Sequence, residues 1–310
     1  MKKGMSAKKL TKKLAIAYLL ILFFMANPVF HPVSASGAEA ETIVRVEPQE
    51  CFAKVNQTFS INITILNVEN LYGLDILLAW NYSILEAINV SHYLGVEDYP
   101  YGVLHKDLTI YKFEVCQEKG TFKLVASSIS PALPFNGNGT LATITFRVIG
   151  FGNSDLTIRA ELASNIQTPE GVKPINHIEV NGRYYPIRIS VTPKTADLGQ
   201  NISISGDLAV AQENVEVKLL TRKHGSQTWV TETTSQTDEK GTFLITWKPK
   251  TGGKYYVKAI VTNSMKGESQ TILVEIHEFT IGPYVISLII MIAIIVIIAI
   301  FIIEKKLKRR

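Results

Sequence analysis

The chain has 310 residues, 46% hydrophobic and 19% charged, with two cysteines. A formal charge of +5 and a pI near 9.0 point toward nucleic acid until the basic residues are located. Six lysines lie within the first 13 residues, and five of the last seven are Lys or Arg; without those ends, Glu304 included, the net charge is −5, which argues against a nucleic-acid partner.

Lys2, Lys3, Lys8, Lys9, Lys12 and Lys13 precede a 13-residue apolar run, "LAIAYLLILFFMA", closed by Pro28, Pro32 and the small-residue stretch "VSASGAEA". That order reads as a secretory signal over residues 1–35. The run is too short for a span, which takes roughly 20 apolar residues. From residue 42 to 276 the pattern has period two. In "TFSINITIL", Phe59, Ile61, Ile63 and Ile65 oppose Ser60, Asn62 and Thr64. In "TLATITFRV", Ala142, Ile144, Phe146 and Val148 oppose Thr143, Thr145 and Arg147. "PIRISVTP", "NISISGDL", "VEVKLLTR", "TFLITWKP" and "KYYVKAIV" continue it, punctuated by Gly, Asn, Asp and Pro. The fold class is all-β, in two β-sandwich domains. The seam lies near Pro186, giving residues 41–186 and 187–277, each long enough for its own core. In the second, Phe243, Ile245 and Trp247 share one face and Tyr255, Val257 and Ala259 another.

Residues 284–303 carry Ser287 as their only polar side chain besides Tyr284. As a helix they cover about 30 Å, a bilayer's hydrocarbon thickness. Residues 283–303 therefore read as a transmembrane helix and the basic tail 304–310 as cytoplasmic. The expected localisation is the plasma membrane, single-pass, N-terminus outside.

The stretch "LYGLDILLAW", residues 71–80, is too short for a second span and has Asp75 near its centre. As a strand it puts Leu74, Ile76, Leu78 and Trp80 inward and Gly73, Asp75, Leu77 and Ala79 outward. The outward set is either partly covered by another sheet or a flat patch that meets a partner.

No enzyme chemistry emerges. His31, His92, His105, His177, His224 and His277 show no metal-ligand spacing, and no nucleophile elbow or Gly-rich phosphate loop occurs. No catalytic residue, metal or cofactor is expected. The loop "HYLGVEDYPYGVLH" brings Tyr93, Tyr99 and Tyr101 together with Glu97 and Asp98. Its rings stack on a glycan, or they lie down on the sandwich edge. Six sequons, at Asn56, Asn62, Asn81, Asn89, Asn138 and Asn201, permit glycosylation. Cys51 and Cys116 either form a disulfide, which an exported protein permits, or stay as two buried thiols.

The order "QTFSINITILNVENLYGLDILLAWNYSILEAINV", then "GNGTLATITFRVIGFGNSDLTI", then "GVKPINHIEVNGRYY" resembles a cohesin domain, of the type found in archaeal surface proteins, over residues 42–185. The resemblance implies a jelly-roll-like sandwich that docks a dockerin-like extracellular protein module through one sheet face, with Asp75 where the family often places an acidic contact. Asn81 and Tyr82 stand where that family's aromatic turn usually has Asp and Pro. The stretch "SQTDEKGTFLITWKPKTGGKYYVKAIV" resembles Ig-like and fibronectin-like surface modules, which implies a spacer. The function expected is protein docking or adhesion at the cell surface, with a glycan-binding module or a structural envelope component as alternatives.

Overall fold

The computed structural model describes residues 41–278 except Glu170 and Ser264, together with residues 290–292, 294, 296 and 297. The expected signal at 1–35, most of the expected span at 283–303 and the tail at 304–310 lie outside the described residues. The described residues of the span are helical. Among the described residues no helix is long and apolar enough to cross a membrane.

The first sandwich contains β1 (Ile43–Glu47), β2 (Glu50–Cys51), β3 (Thr58–Ala79), β4 (Leu85–His92), β5 (Leu108–Cys116), β6 (Thr121–Ser128), β7 (Phe135–Val148), β8 (Ser154–Thr168), β9 (Gly171–Pro174), β10 (Ile178–Val180) and β11 (Gly182–Tyr184). Strand β3, 22 residues long, belongs to both layers. Its first half lies between β1 and β7, with β10 beyond β1 and β4 beyond β7. Its second half lies between β6 and β8, in the order β5-β6-β3-β8-β11-β2, with β9 also on β8.

The strand changes layer at two asparagines with positive φ, Asn67 (53°) and Asn70 (58°), where the register with β7 slips. Asparagine tolerates that backbone better than most residues. The two amide N–H groups are taken up by the Oδ1 atoms of Asn138 (2.7 Å) and Asn136 (2.8 Å). These side chains stand in for ladder bonds at the bend.

Between the layers the alternation holds. Ile61, Ile63, Leu74, Ile76, Leu78, Trp80, Ile144, Phe146 and Val148 are all buried. Phe59 stacks on Tyr184 at 5.6 Å, and Trp80 meets Phe146 edge-on at 5.0 Å. Full burial of such side chains stabilises by about 1.5–3 kcal/mol each. The polar atoms of Tyr184 and Trp80 are satisfied. Tyr184 Oη donates to the Ala53 carbonyl (2.9 Å) and Trp80 Nε1 to that of Leu85 (3.1 Å). Burial pushes the Tyr184 hydroxyl's pKa upward.

The second sandwich contains β12 (Ile187–Thr192), β13 (Thr195–Asp197), β14 (Ile202–Leu208), β15 (Glu216–Lys223), β16 (Val230–Gln236), β17 (Thr242–Trp247), β18 (Gly253–Val261), β19 (Gly267–Glu268) and β20 (Ile272–His277). The sheet β12-β14-β17 faces the sheet β13-β20-β18-β15-β16, with β19 on β18. Phe243, Ile245 and Trp247 enter the core from one sheet and Tyr255, Val257 and Ala259 from the other.

The two sandwiches form one compact unit. Val55 N donates to the Ala209 carbonyl (2.8 Å). The Asn153 side chain brackets the Glu268 backbone, accepting from its N (2.9 Å) and donating to its carbonyl (3.0 Å). The Glu268 carboxylate then takes Arg183 (2.9 Å) from the first sandwich and Lys258 (2.6 Å) from the second.

The cysteines are not bonded; both are free. Cys51 lies on β2 and Cys116 on β5, at opposite ends of the ladder β5-β6-β3-β8-β11-β2. Five strand spacings of about 4.8 Å separate them, whereas a disulfide needs Cα atoms within about 7 Å. Burial, with help from Glu50, pushes the Cys51 thiol up to about 12.

Candidate docking face

The second half of β3 exposes one face and buries the other, as its alternation requires. Asp75, Leu77 and Ala79 are half-buried on the outer face of the sheet β5-β6-β3-β8. Gly73 lies on the same face and is covered by its neighbours.

Strand register sets the neighbours. Ser127, Gly73 and Ala163 form one row across β6, β3 and β8. Val125, Asp75 and Glu161 form the next, followed by Lys123, Leu77 and Arg159, and then Thr121, Ala79 and Thr157. On the far side, β5 sets Lys112 beside Val125 and Glu114 beside Lys123. The face therefore grades from small residues at one end to charged residues of both signs in the middle.

Asp75 pairs with Lys123, and Lys112 pairs with Glu114 at 2.9 Å. The second pair raises the Lys112 pKa and lowers that of Glu114, in each case first through the hydrogen bond to the other. Such pairs are open to water and contribute little to folding. They leave a pattern of charge that a partner can complement.

The face is hollowed. Tyr111 on the β5 side, Pro174 at the end of β9 and Ile175 and His177 after it wall a groove of about 800 Å³ over Gly73, Asp75, Glu161 and Ala163. Tyr111 is 67% exposed, because β5 bulges between Ile110 and Lys112. A Cβ on Gly73 would meet Ala163 Cβ and Ser127 Oγ at 3.6 Å, ordinary contact distance. The glycine keeps the floor low, and no backbone strain demands it.

Of the outward set read from the sequence, the structure brings all four residues, Gly73, Asp75, Leu77 and Ala79, onto this face. Lys123, Glu161, Arg159 and Tyr111 were not anticipated. Alternation in "TFKLVASS" and "SDLTIRAEL" marks Lys123, Arg159 and Glu161 as outward, but only strand pairing sets them beside β3.

Tyr93, Tyr99 and Tyr101 sit elsewhere, over the opposite sheet beside Asn62. All six sequon asparagines are exposed. Asn81 closes the turn after Trp80, its Oδ1 accepting from Ser83 N (3.0 Å) and Ser83 Oγ (2.7 Å). The amide thus does there what an aspartate would do in an Asx turn.

No family model and no curated protein matches the chain. Solved structures do show similarity. A non-cellulosomal cohesin from Archaeoglobus fulgidus is 18% identical, the match taking in 47% of this chain and 90% of that one, with a TM-score of 0.35. A type II cohesin domain from the cellulosome of Acetivibrio cellulolyticus is 15% identical over 47% of this chain and 95% of its own, with a TM-score of 0.37. A type I cohesin–dockerin complex of OlpA from Clostridium thermocellum gives 11%, 47%, 98% and 0.36 in the same order.

Proposed function

We propose that the first sandwich is a non-catalytic, cohesin-like docking module that receives a folded extracellular protein of dockerin type. The observation that carries this reading is the groove on the outer face of β5-β6-β3-β8, with its small-residue floor and paired charges around Asp75. A broad, open groove with charges of both signs suits another protein, and charge complementarity gives such contacts specificity. The motif order over residues 42–185 supports the same reading.

The second sandwich acts as an Ig-like spacer, and the segment 283–303 anchors the chain in the plasma membrane with the N-terminus outside. Ile290, Met291, Ile292, Ile294, Val296 and Ile297 are helical and 51–65% exposed. Apolar helical residues left this exposed suit a lipid environment.

The test uses the full chain in detergent, immobilised and presented with the secreted proteins of its native source. Wild type is compared with Asp75→Lys and Gly73→Phe, the second of which fills the groove floor. The expected result is a captured protein that both substitutions release. If both variants retain the same proteins as wild type, the docking face is wrong.

A further inference from the structure

A second cavity lies on the opposite sheet of the first sandwich. Its floor is polar. Asn62 on β3 and Thr143 on β7 are cross-strand partners, and Thr143 Oγ1 donates to Asn62 Oδ1 at 2.6 Å. That leaves the Asn62 amide N–H groups without a partner among the described residues.

Its walls come from the loop after β4. Tyr99 stands perpendicular to Tyr93 at 5.6 Å and edge-on to His92 at 6.1 Å. The Tyr101 ring is 87% exposed at the mouth. Asp98 adds a carboxylate, held by Lys106 at 2.6 Å. The loop is tied down at both ends. Thr140 N donates to the Tyr101 carbonyl (2.8 Å), and Glu97 accepts from Lys106 N (3.0 Å) and pairs with His105 Nδ1 (2.9 Å). Gly102 lets the chain pass, since a Cβ there would stand 2.0 Å from the Tyr93 carbonyl oxygen.

The cavity measures about 350 Å³, within the range of small-ligand clefts, about 300–1,000 Å³. Its lining includes one acid and no lysine or arginine, which disfavours a phosphate or other anion. A wholly apolar ligand would strand the amide and hydroxyls of the floor, and unmade polar contacts are costly. A ligand with one apolar ring face and a rim of hydroxyls satisfies both surfaces.

We infer that this pocket binds one pyranose sugar residue, its ring face against Tyr101 and its hydroxyls on Asp98, Asn62 and Thr143. The site is independent of the docking face, being on the other sheet. Two sources supply the same chemistry. One is a free saccharide. The other is a glycan carried by Asn62, itself a sequon asparagine in the pocket floor.

The experiment takes the full chain in detergent and four probes, oligomers of glucose, galactose, mannose and N-acetylglucosamine, with saturation-transfer NMR and titration as readouts. Mass spectrometry of chain purified from its native source reports whether Asn62 is modified. The Thr64→Ala variant removes the sequon with the smallest change beside the pocket: Thr64 is buried opposite Thr140, does not line the pocket, and its hydroxyl has no partner among the described residues. If Asn62 is bare, at least one probe should bind wild type saturably. If Asn62 is glycosylated, that binding should appear in Thr64→Ala. In either case Tyr101→Ala, added to the binding-competent chain, should weaken it at least tenfold, while Asp75→Lys leaves it unchanged. No binding by any probe to either wild type or Thr64→Ala, or binding that survives Tyr101→Ala, overturns the proposal.

Discussion

Replacing Asp75 by lysine tests which way that side chain points. Asp75 and Lys123 are 35% and 32% exposed and form an ion pair. Screening by water and the entropy of ordering two side chains leave a surface ion pair of this kind a net contribution of about 0.2–1 kcal/mol. Asp75→Lys exchanges that attraction for a comparable repulsion from Lys123, so it should destabilise the fold by up to about 2 kcal/mol at low salt. For a unit of this size that is a fall in Tm of up to about 8 °C. The charge-swapped pair, Asp75→Lys with Lys123→Asp, should recover most of it, and 1 M salt should shrink the effect, since the screening length there is about 3 Å. Calorimetry on wild type, both single variants and the swap measures the coupling. The swap also separates folding from docking. On the proposed docking reading it should restore stability but not capture of the partner, because position 75 would still present the reversed charge. A salt-insensitive loss of about 3–5 kcal/mol, the signature of an uncompensated buried charge, would refute the outward orientation.

The free thiols should differ in reactivity. Iodoacetamide should label half-buried Cys116 in the native chain and Cys51 only after unfolding, and a non-reducing peptide map should show no bond between them. The tyrosine loop should loosen in acid. Glu97 is held at about 2 instead of 4.5, first by the Lys106 N–H and then by His105. A depressed acid stabilises the fold fully above its unfolded value and loses that contribution as pH falls from about 4.5 to about 2. Tyrosine fluorescence should follow that window, and Glu97→Gln should abolish the dependence. Glu268→Ala should leave Arg183 and Lys258 facing each other across the joint. Charge-assisted hydrogen bonds contribute about 1.5–3 kcal/mol, so the calorimetric trace should split as the sandwiches uncouple; one unshifted transition would show that the carboxylate does not join them.

Much of this protein is local in origin and therefore visible in its residues. Period-two alternation in "TFSINITIL", "TLATITFRV" and "TFLITWKP" determines which side chains leave water, because apolar burial depends on the face and not on the partner strand. The same logic put Asp75 outside and Trp80 inside. What each face meets depends on contacts distant in sequence. Nothing near Asp75 announces Lys123 or Glu161, 48 and 86 positions away, yet strand pairing sets them alongside.

The disulfide shows the same limit. Two cysteines in a segment that reads as exported permit a bond, and only the order of strands, with β2 and β5 at opposite ends, forbids it. The tyrosine loop was visible as a cluster of rings, but Asn62 and Thr143 come from strands on either side of it in the chain. The sequence by itself determined the all-β class, the inward and outward faces, and the outward position of Asp75. Tertiary structure alone decided the corner at Asn67 and Asn70, the groove, the sugar-sized pocket and the joint at Glu268. Each of these exists only when strands far apart in the chain are held a few ångströms apart.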